Sequence, residues 1–128
     1  MVKLVKVRDR IKVCRDGGCL EVVALFDTGA GGSYLSERVA EKIGYERYPQ
    51  PRKVPLAVRE KEAELVGYVP TVDIEMTGYI LPEKETIGVI RGLHVDAIIG
   101  LNLIEKYNIT LEKDKIGFRE YPPRAFLL

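Results

Sequence analysis

The sequence has no tryptophan, only one histidine and only two cysteines among its 128 residues. With His94 as the single histidine, the Ser-His and Cys-His pairs that activate many nucleophilic enzymes are poorly supported, and we expect His94 to be a solvated loop residue. Two cysteines and one distant histidine also form an incomplete ligand set for a structural metal ion. The sequence therefore predicts no metal site.

The chain also lacks a large net charge and any long apolar run. Its formal charge is +1, and its lysine, arginine and glutamate residues are scattered along the sequence, which argues against nucleic acid or an anionic membrane as a partner. No apolar run approaches the roughly 18 residues of a membrane span, and the N-terminal residues alternate in polarity where a signal peptide would be continuously apolar. We therefore expect a cytoplasmic location.

The length of 128 residues suits one domain and is too short for two of typical size. We expect a single domain over residues 1–120 and a tail over residues 121–128. Alternating polarity, broken by Gly, Pro and Asp-Gly, predicts a mostly β domain with strands over residues 3–7, 11–14, 20–26, 54–58, 69–76 and 85–90. Two short helices are predicted, one from an N-cap at Ser36 to a stop at Gly44, and one over about residues 102–107.

The two cysteines, Cys14 and Cys19, bracket the Arg-Asp-Gly-Gly segment of a predicted hairpin and should face each other across it. We expect reduced structural thiols, because disulfides are rare in cytosolic proteins. A disulfide is the alternative if the source organism is a hyperthermophile.

The most informative segment is residues 22–36, V-V-A-L-F-D-T-G-A-G-G-S-Y-L-S. A short apolar run typical of a buried strand leads directly into Asp27, and the glycines that follow leave the backbone open to close approach by a ligand. Asp-Thr-Gly on its own would equally suit a surface turn with a capping aspartate. The apolar run before it and the helix-like segment after it favour a functional loop.

This segment resembles the active-site loop of aspartic proteases, in which Asp-Thr-Gly follows apolar residues and precedes a hydroxyl residue such as Ser33. Residues 95–111, V-D-A-I-I-G-L-N-L-I-E-K-Y-N-I-T-L, resemble the second signature of retroviral-type, single-domain proteases. The likeness covers residues 20–116. It implies a retropepsin-like closed β-barrel with one or two short helices, and an aspartic endopeptidase that cleaves peptides or unfolded proteins.

Aspartic protease chemistry needs two carboxylates, and the chain carries one Asp-Thr-Gly. The resemblance therefore implies a homodimer in which a two-fold axis brings two copies of Asp27 together. Ionisation of both carboxyls at such a short distance is energetically unfavourable, so the pair would share one proton and activate a water molecule. Such a mechanism requires neither a metal nor another cofactor.

The resemblance also assigns roles to residues around Asp27. Thr28 would bond across the two-fold axis, and Gly29, Ala30 and Gly100 would support the loop. Substrate would contact the residues of the groove, namely Gly29, Gly31, Gly32, Val58, Ile98 and Leu101. Asn102 matches a polar position of the family, and a plain helix N-cap is an equally good explanation of it.

The chain departs from the viral pattern at the groove. Gly31 and Gly32 stand where the viral enzymes commonly carry acidic residues, and Leu101 stands where they carry an arginine. Because the acid and the arginine pair with each other, their joint absence leaves no buried charge without a partner. We expect an apolar wall of small residues and a preference for hydrophobic residues at the cleavage point.

By position, the hairpin that folds over substrate in this family falls within residues 53–67, and dimer contacts fall at residues 1–7 and 109–118. The apolar end of the tail packs either on its own domain or on the partner subunit. An alternative function is a catalytically silent module that kept the fold and only binds peptides or dimerises. Substitution of Asp27 would separate the two.

Overall fold

The computed structural model describes residues 5–54 and 63–126. Within these residues, two helices, α1 (Glu37–Ile43) and α2 (Leu101–Lys106), lie among ten strands. The strands are β1 (Lys6–Arg15), β2 (Gly18–Asp27), β3 (Tyr34–Ser36), β4 (Glu46–Lys53), β5 (Glu64–Met76), β6 (Tyr79–Ile80), β7 (Glu85–Arg91), β8 (Ala97–Ile99), β9 (Ile109–Leu111) and β10 (Ile116–Phe118).

Six of the strands close into a barrel. Their order is β1-β2-β8-β3-β7-β5, and β5 returns to pair with β1, which leaves the ring without a free edge. β4 and β6 pair with β5 outside the ring, and β9 forms a separate hairpin with β10. The predicted all-β closed barrel with two short helices is confirmed.

The barrel interior is filled by alternate residues of its strands. On β5, for example, Val72, Ile74 and Met76 are buried while the residues between them are partly exposed. Burial of apolar area at about 25 cal/mol per Å² makes this core the main source of stability. Its largest fully buried side chains include Val13, Phe26, Leu35, Ile74, Leu103 and Tyr107.

Helix α1 carries the capping signals that the sequence predicts, whereas α2 starts differently. Helix α1 begins after Ser36, whose hydroxyl accepts a hydrogen bond from the Val39 backbone N–H at 3.2 Å, and it ends at Gly44 with φ of 83°. Helix α2 begins one residue earlier than expected, and its N-cap is Gly100. Its buried residues, Leu103 and Ile104, face the core.

A polar cluster fixes the end of α2 against the start of β7. The Lys106 ammonium lies 2.8 Å from a carboxylate oxygen of each of Glu83 and Glu85, and the buried Tyr107 hydroxyl bonds to Glu85. The hydrogen bonds to these glutamates raise the pKa of Lys106. Burial, followed by the bond to Glu85, raises the pKa of Tyr107. Both groups therefore keep their protons at neutral pH.

Several predicted strands are wrong in extent. Residues 3–7 and 11–14 were expected to form separate strands, but β1 runs unbroken through Arg8, Asp9 and Arg10 because all three pair with β2. β5 begins at Glu64, well before residue 69. β4 was missed because its sequence, E-R-Y-P-Q-P-R-K, is polar and carries two prolines, a pattern tolerated only on an edge strand such as this one. The strand expected over residues 54–58 lies almost wholly outside the described residues.

The expectation of reduced thiols is also wrong, because Cys14 and Cys19 form a disulfide. The two residues are directly opposite each other in the β1–β2 hairpin, with their Cα atoms 4.0 Å apart. The expectation rested on a cytosolic location, whereas the hairpin register brings the two sulfur atoms together.

The tail packs on its own domain as far as it is described. Pro123 is buried, Ala125 packs against the core, and the Phe126 backbone N–H donates to the Lys106 carbonyl at 2.7 Å. Leu127 and Leu128 lie outside the described residues. Neither helix within residues 5–54 and 63–126 is long or apolar enough to cross a membrane.

Glu37 joins α1 to two strands of the sheet. Its carboxylate accepts hydrogen bonds from Arg91 of β7 at 3.1 and 3.3 Å, from Tyr45 at 2.9 Å and from Arg47 of β4 at 3.3 Å. The bonds from Arg91 outweigh the effect of burial and lower the pKa of Glu37 below its usual 4.5. Burial and the bond to Glu37 raise the pKa of Tyr45.

We expect Glu37→Gln to lower the free energy of unfolding at neutral pH by about 1–2 kcal/mol, since charge-assisted hydrogen bonds are lost. Because the pKa of Glu37 is lower in the folded state, its stabilisation is complete above the unfolded value near 4.5 and is lost as pH falls through the folded value. Urea unfolding at several pH values measures this difference. Glu105→Gln, on the exposed surface of α2, is the control, and equal pH dependence in both variants would contradict the role of Glu37.

Candidate active site

Asp27 is the last residue of β2, where the strand leaves the barrel core. The preceding Phe26 is fully buried, and the Asp27 side chain itself is only 7% exposed. Its Oδ1 accepts a hydrogen bond from the Gly29 backbone N–H at 2.8 Å, and its carbonyl accepts one from Ala30 N–H at 3.1 Å. The turn therefore holds the carboxylate in one orientation.

The second oxygen of Asp27 has a different environment. Among the described residues, no donor lies within hydrogen-bond distance of Oδ2, and the nearest cation is the Lys6 ammonium at 3.9 Å. Lys6 is directly opposite Asp27 in the β1–β2 register, and its side chain is 55% exposed. One oxygen of a nearly enclosed carboxylate is thus left available to a further hydrogen-bonding group.

Sequence reasoning missed Lys6, although a signal for it was present. The Asp16-Gly17 turn sets the register of the β1–β2 hairpin. Counting the same number of residues along both strands from the Cys14–Cys19 pair leads to the Lys6–Asp27 pair. The register of this hairpin, read from the sequence, would therefore have placed Lys6 beside Asp27 at the end away from the turn.

Thr28 bonds within its own chain to the backbone of Val5. Its hydroxyl accepts from the Val5 N–H at 2.8 Å, and its own N–H donates to the Val5 carbonyl at 3.0 Å. The hydroxyl hydrogen points to the same carbonyl at 3.4 Å, which is a weak bond. These bonds therefore attach the segment before β1 to the Asp27 loop, and the Thr28 hydroxyl hydrogen is held only by the weak bond.

Ser33 ties the loop to α2. The Gly100 N–H donates to the Ser33 hydroxyl at 3.0 Å, and that hydroxyl donates to the Asn102 side-chain oxygen at 2.7 Å. Asn102 is thus a loop tether and not the helix N-cap, which corrects one of the two explanations from the sequence. The Ser33–Asn102 pair was not predicted, because nothing in a sequence separation of 69 residues signals contact.

Gly100 lies directly under the loop. A Cβ at this position would be 2.2 Å from the Gly32 carbonyl oxygen and 2.5 Å from that of Ala30. The Ala30 and Gly31 carbonyls accept from the backbone N–H groups of Leu101 and Asn102 at 2.7 and 3.1 Å. The loop thus rests on the first turn of α2, and only glycine allows so close an approach.

The structure brings most of the predicted substrate-contacting residues to one area. Gly29 and Gly31 are exposed, Gly32 and Leu101 are partly exposed, and Ile98 packs with Ala30 in a small apolar cluster beside the loop. Val58 lies outside the described residues, so the predicted covering hairpin is seen only at its base, where Lys53 pairs with Glu64.

Within residues 5–54 and 63–126, no three His, Cys, Asp or Glu side chains come together in a way that could hold a metal ion. His94 is exposed and lies in the segment between β7 and β8.

We expect Gly100→Ala to displace the loop, because the new methyl group would overlap two backbone carbonyl oxygens that cannot rotate away. Stability should fall by about 1–3 kcal/mol, as for other overpacked sites. Gly18→Ala is the control, because its Cβ would meet only the Arg15 carbonyl at an ordinary 3.6 Å. Urea unfolding compares the two variants, and equal stability would contradict the tight packing under the loop.

Comparison with known proteins agrees with this geometry. The sequence profile of the family described as aspartyl protease matches residues 12–112. DNA damage-inducible protein 1 of Chaetomium globosum is 32% identical over 98 residues, which are 75% of this chain and 22% of that protein. The UBA domain-containing protein Mud1 of Schizosaccharomyces pombe is 30% identical over 92 residues, which are 72% of this chain and 27% of that protein.

Two solved structures share the fold. The retroviral protease-like domain of Ddi1 from Leishmania major superposes with a TM-score of 0.63 at 18% identity, covering 94% of this chain and 95% of that one. A retropepsin-like aspartic protease from Rickettsia conorii gives a TM-score of 0.55 at 14% identity, covering 89% and 88%.

The chain spans 21–27% of the length of the curated relatives that it matches. Those relatives therefore contain much that this chain does not align with. The match to the family profile nevertheless covers most of the chain and includes both the Asp27 loop and the segment around Gly100. This chain has the retropepsin-like fold and belongs to the aspartyl protease family.

Proposed function

We propose that the chain is an aspartic endopeptidase that works as a homodimer, with one Asp27 from each subunit at the two-fold axis. The main support for this proposal is the burial of the Asp27 carboxylate and the unequal hydrogen bonding of its two oxygens. It is almost enclosed, one oxygen is fixed by the Gly29 N–H, and the other has no hydrogen-bond donor among the described residues. A second carboxyl that carries a proton would supply the missing donor.

In such a pair, one proton lies between two carboxyl groups, because two adjacent negative charges are costly in a site shielded from water. The charged carboxylate accepts a proton from a bound water, whose oxygen attacks the carbonyl carbon of the peptide bond. The protonated carboxyl donates a hydrogen bond to the carbonyl oxygen. A proton then passes to the leaving nitrogen as the C–N bond breaks.

Thr28 supports the dimer in this proposal. Its hydroxyl oxygen already accepts from Val5, while its hydrogen is held only by a weak 3.4 Å bond. That hydrogen is free to turn toward the loop of the partner subunit and bond there. The in-chain bond to Val5 would then position each hydroxyl for the contact between subunits.

The substrate in this proposal is an extended peptide or unfolded protein segment. The exposed backbone of Gly29 and Gly31 offers hydrogen-bonding groups to an extended strand, and the neighbouring apolar cluster offers Ala30, Leu65 and Ile98 to its side chains. We therefore propose a preference for hydrophobic residues around the cleaved bond. The silent binding module is the alternative that the first experiment separates.

The test of the chemistry is Asp27→Asn. We expect the wild type to cleave denatured casein at mildly acidic pH in a reaction that pepstatin inhibits, and the variant to lose essentially all of this activity, because Asn cannot take part in proton transfer. Asp16→Asn, in the exposed turn of the β1–β2 hairpin, is the matched control. Peptide binding without cleavage by both wild type and Asp27→Asn would favour the silent module.

The test of the assembly is Thr28→Val, which keeps the shape of the side chain and removes the hydroxyl. Each dimer would lose two hydrogen bonds of about 1 kcal/mol, so the dissociation constant should rise roughly 10- to 30-fold. Thr28→Ser keeps the hydroxyl and should dimerise like the wild type. Sedimentation measures the equilibrium, and a wild-type chain that stays monomeric at all concentrations would refute the proposed assembly.

A further inference from the structure

Tyr34 lies on the same face of the barrel wall as Asp27. Across the sheet, Leu25 pairs with Ile98, Ile98 pairs with Tyr34, and Tyr34 pairs with Gly88. Directly paired residues share a face, and so do residues two apart on one strand. Asp27 is two residues beyond Leu25, so its side chain and that of Tyr34 project from the same side.

Two glycines make room for the Tyr34 ring. A Cβ at Gly32 would be 2.6 Å from the Tyr34 hydroxyl oxygen, and one at Gly88 would be 2.8 Å from Cδ1 of the same ring. The ring therefore reaches from β3 back along the active-site loop and covers the position where a side chain of residue 32 would lie. In contrast, a Cβ at Gly31 would meet nothing within 4 Å.

The ring forms part of the apolar cluster beside the loop, with Ala30, Leu65 and Ile98. It is only half-buried. Among the described residues, its hydroxyl has no hydrogen-bond partner, unlike the buried Tyr107 hydroxyl, which bonds to Glu85. A phenol that is fixed by packing and left without a partner beside Gly32 is a polar group at the groove. The expected wall of small apolar residues therefore contains a large aromatic residue.

We infer that Tyr34 determines specificity at the subsite above Gly32. Its ring limits the depth of that subsite, and its hydroxyl donates a hydrogen bond to a short substrate side chain with an acceptor oxygen, such as Ser, Thr or Asn. Large apolar substrate side chains do not fit this subsite and bind elsewhere in the groove. This inference rests on the proposed function, because it concerns the same groove.

The experiment profiles a peptide library with the wild type, Tyr34→Phe and Tyr34→Val. Tyr34→Phe keeps the ring and its packing, so it should remain folded. It should lower kcat/KM roughly 3- to 10-fold for peptides with Ser, Thr or Asn at the subsite, and leave peptides with Ala there unchanged. Tyr34→Val should open the subsite and improve cleavage of peptides with Leu or Phe at that position. Tyr79→Phe, which is remote from the loop in sequence and sheet order, is the control.

The same library is measured for binding to Asp27→Asn with and without Tyr34→Phe. If the wild type does not cleave but Tyr34→Phe still changes binding selectivity in this background, the endopeptidase proposal fails and the specificity inference stands. If peptides are cleaved and folded Tyr34→Phe and Tyr34→Val have the wild-type profile, the inference is wrong and the enzyme proposal stands. Absence of both cleavage and binding overturns both.

Discussion

The candidate active site is built around a carboxylate, that of Asp27, which is enclosed at the end of a core strand. A carboxylate that is 7% exposed is costly unless its oxygens find partners. The Gly29 N–H supplies one, which requires a tight turn of small residues immediately after β2. Among the described residues, no donor lies within hydrogen-bond distance of the other oxygen, so that side of the carboxylate is available to a further hydrogen-bonding group.

The loop is kept in place from below. Gly100 allows the first turn of α2 to touch the loop backbone, and the Ser33 hydroxyl links the Gly100 N–H to the Asn102 side chain. The other end of α2 is fixed by Lys106 and the glutamates before and within β7. Helix α2 is thus bonded to the barrel at one end and to the Asp27 loop at the other. It holds in place a loop that has few bulky side chains of its own.

Local signals in the sequence were sufficient for the parts of the fold that local chemistry determines. Ser36 and Gly44 bound α1 as capping residues should, and the apolar run before Asp27 is a core strand. The strands that were predicted wrongly depend on pairing with strands elsewhere in the chain. Polar β4 is a strand because β5 offers it an edge, and the charged middle of β1 is a strand because β2 pairs with it.

The same distinction holds at the site. The Asp27 loop and the close approach of Gly100 follow from short segments, whereas the Ser33–Asn102 bond depends on contacts between residues far apart in sequence. The position of Lys6 and the disulfide both follow from the register of the β1–β2 hairpin. The space for the Tyr34 ring depends on glycines from two different segments.

The retropepsin-like fold is retained in solved structures only 18% and 14% identical to this chain, so much of the sequence can differ while the barrel and its loop persist. The most direct test of the proposed shared-proton site is the distance between the two Asp27 carboxyls in a crystal structure of the full chain. We predict a two-fold dimer with facing oxygens about 2.6–3.2 Å apart. A monomer, or a dimer whose two Asp27 carboxyls are too distant to share a proton, would contradict it.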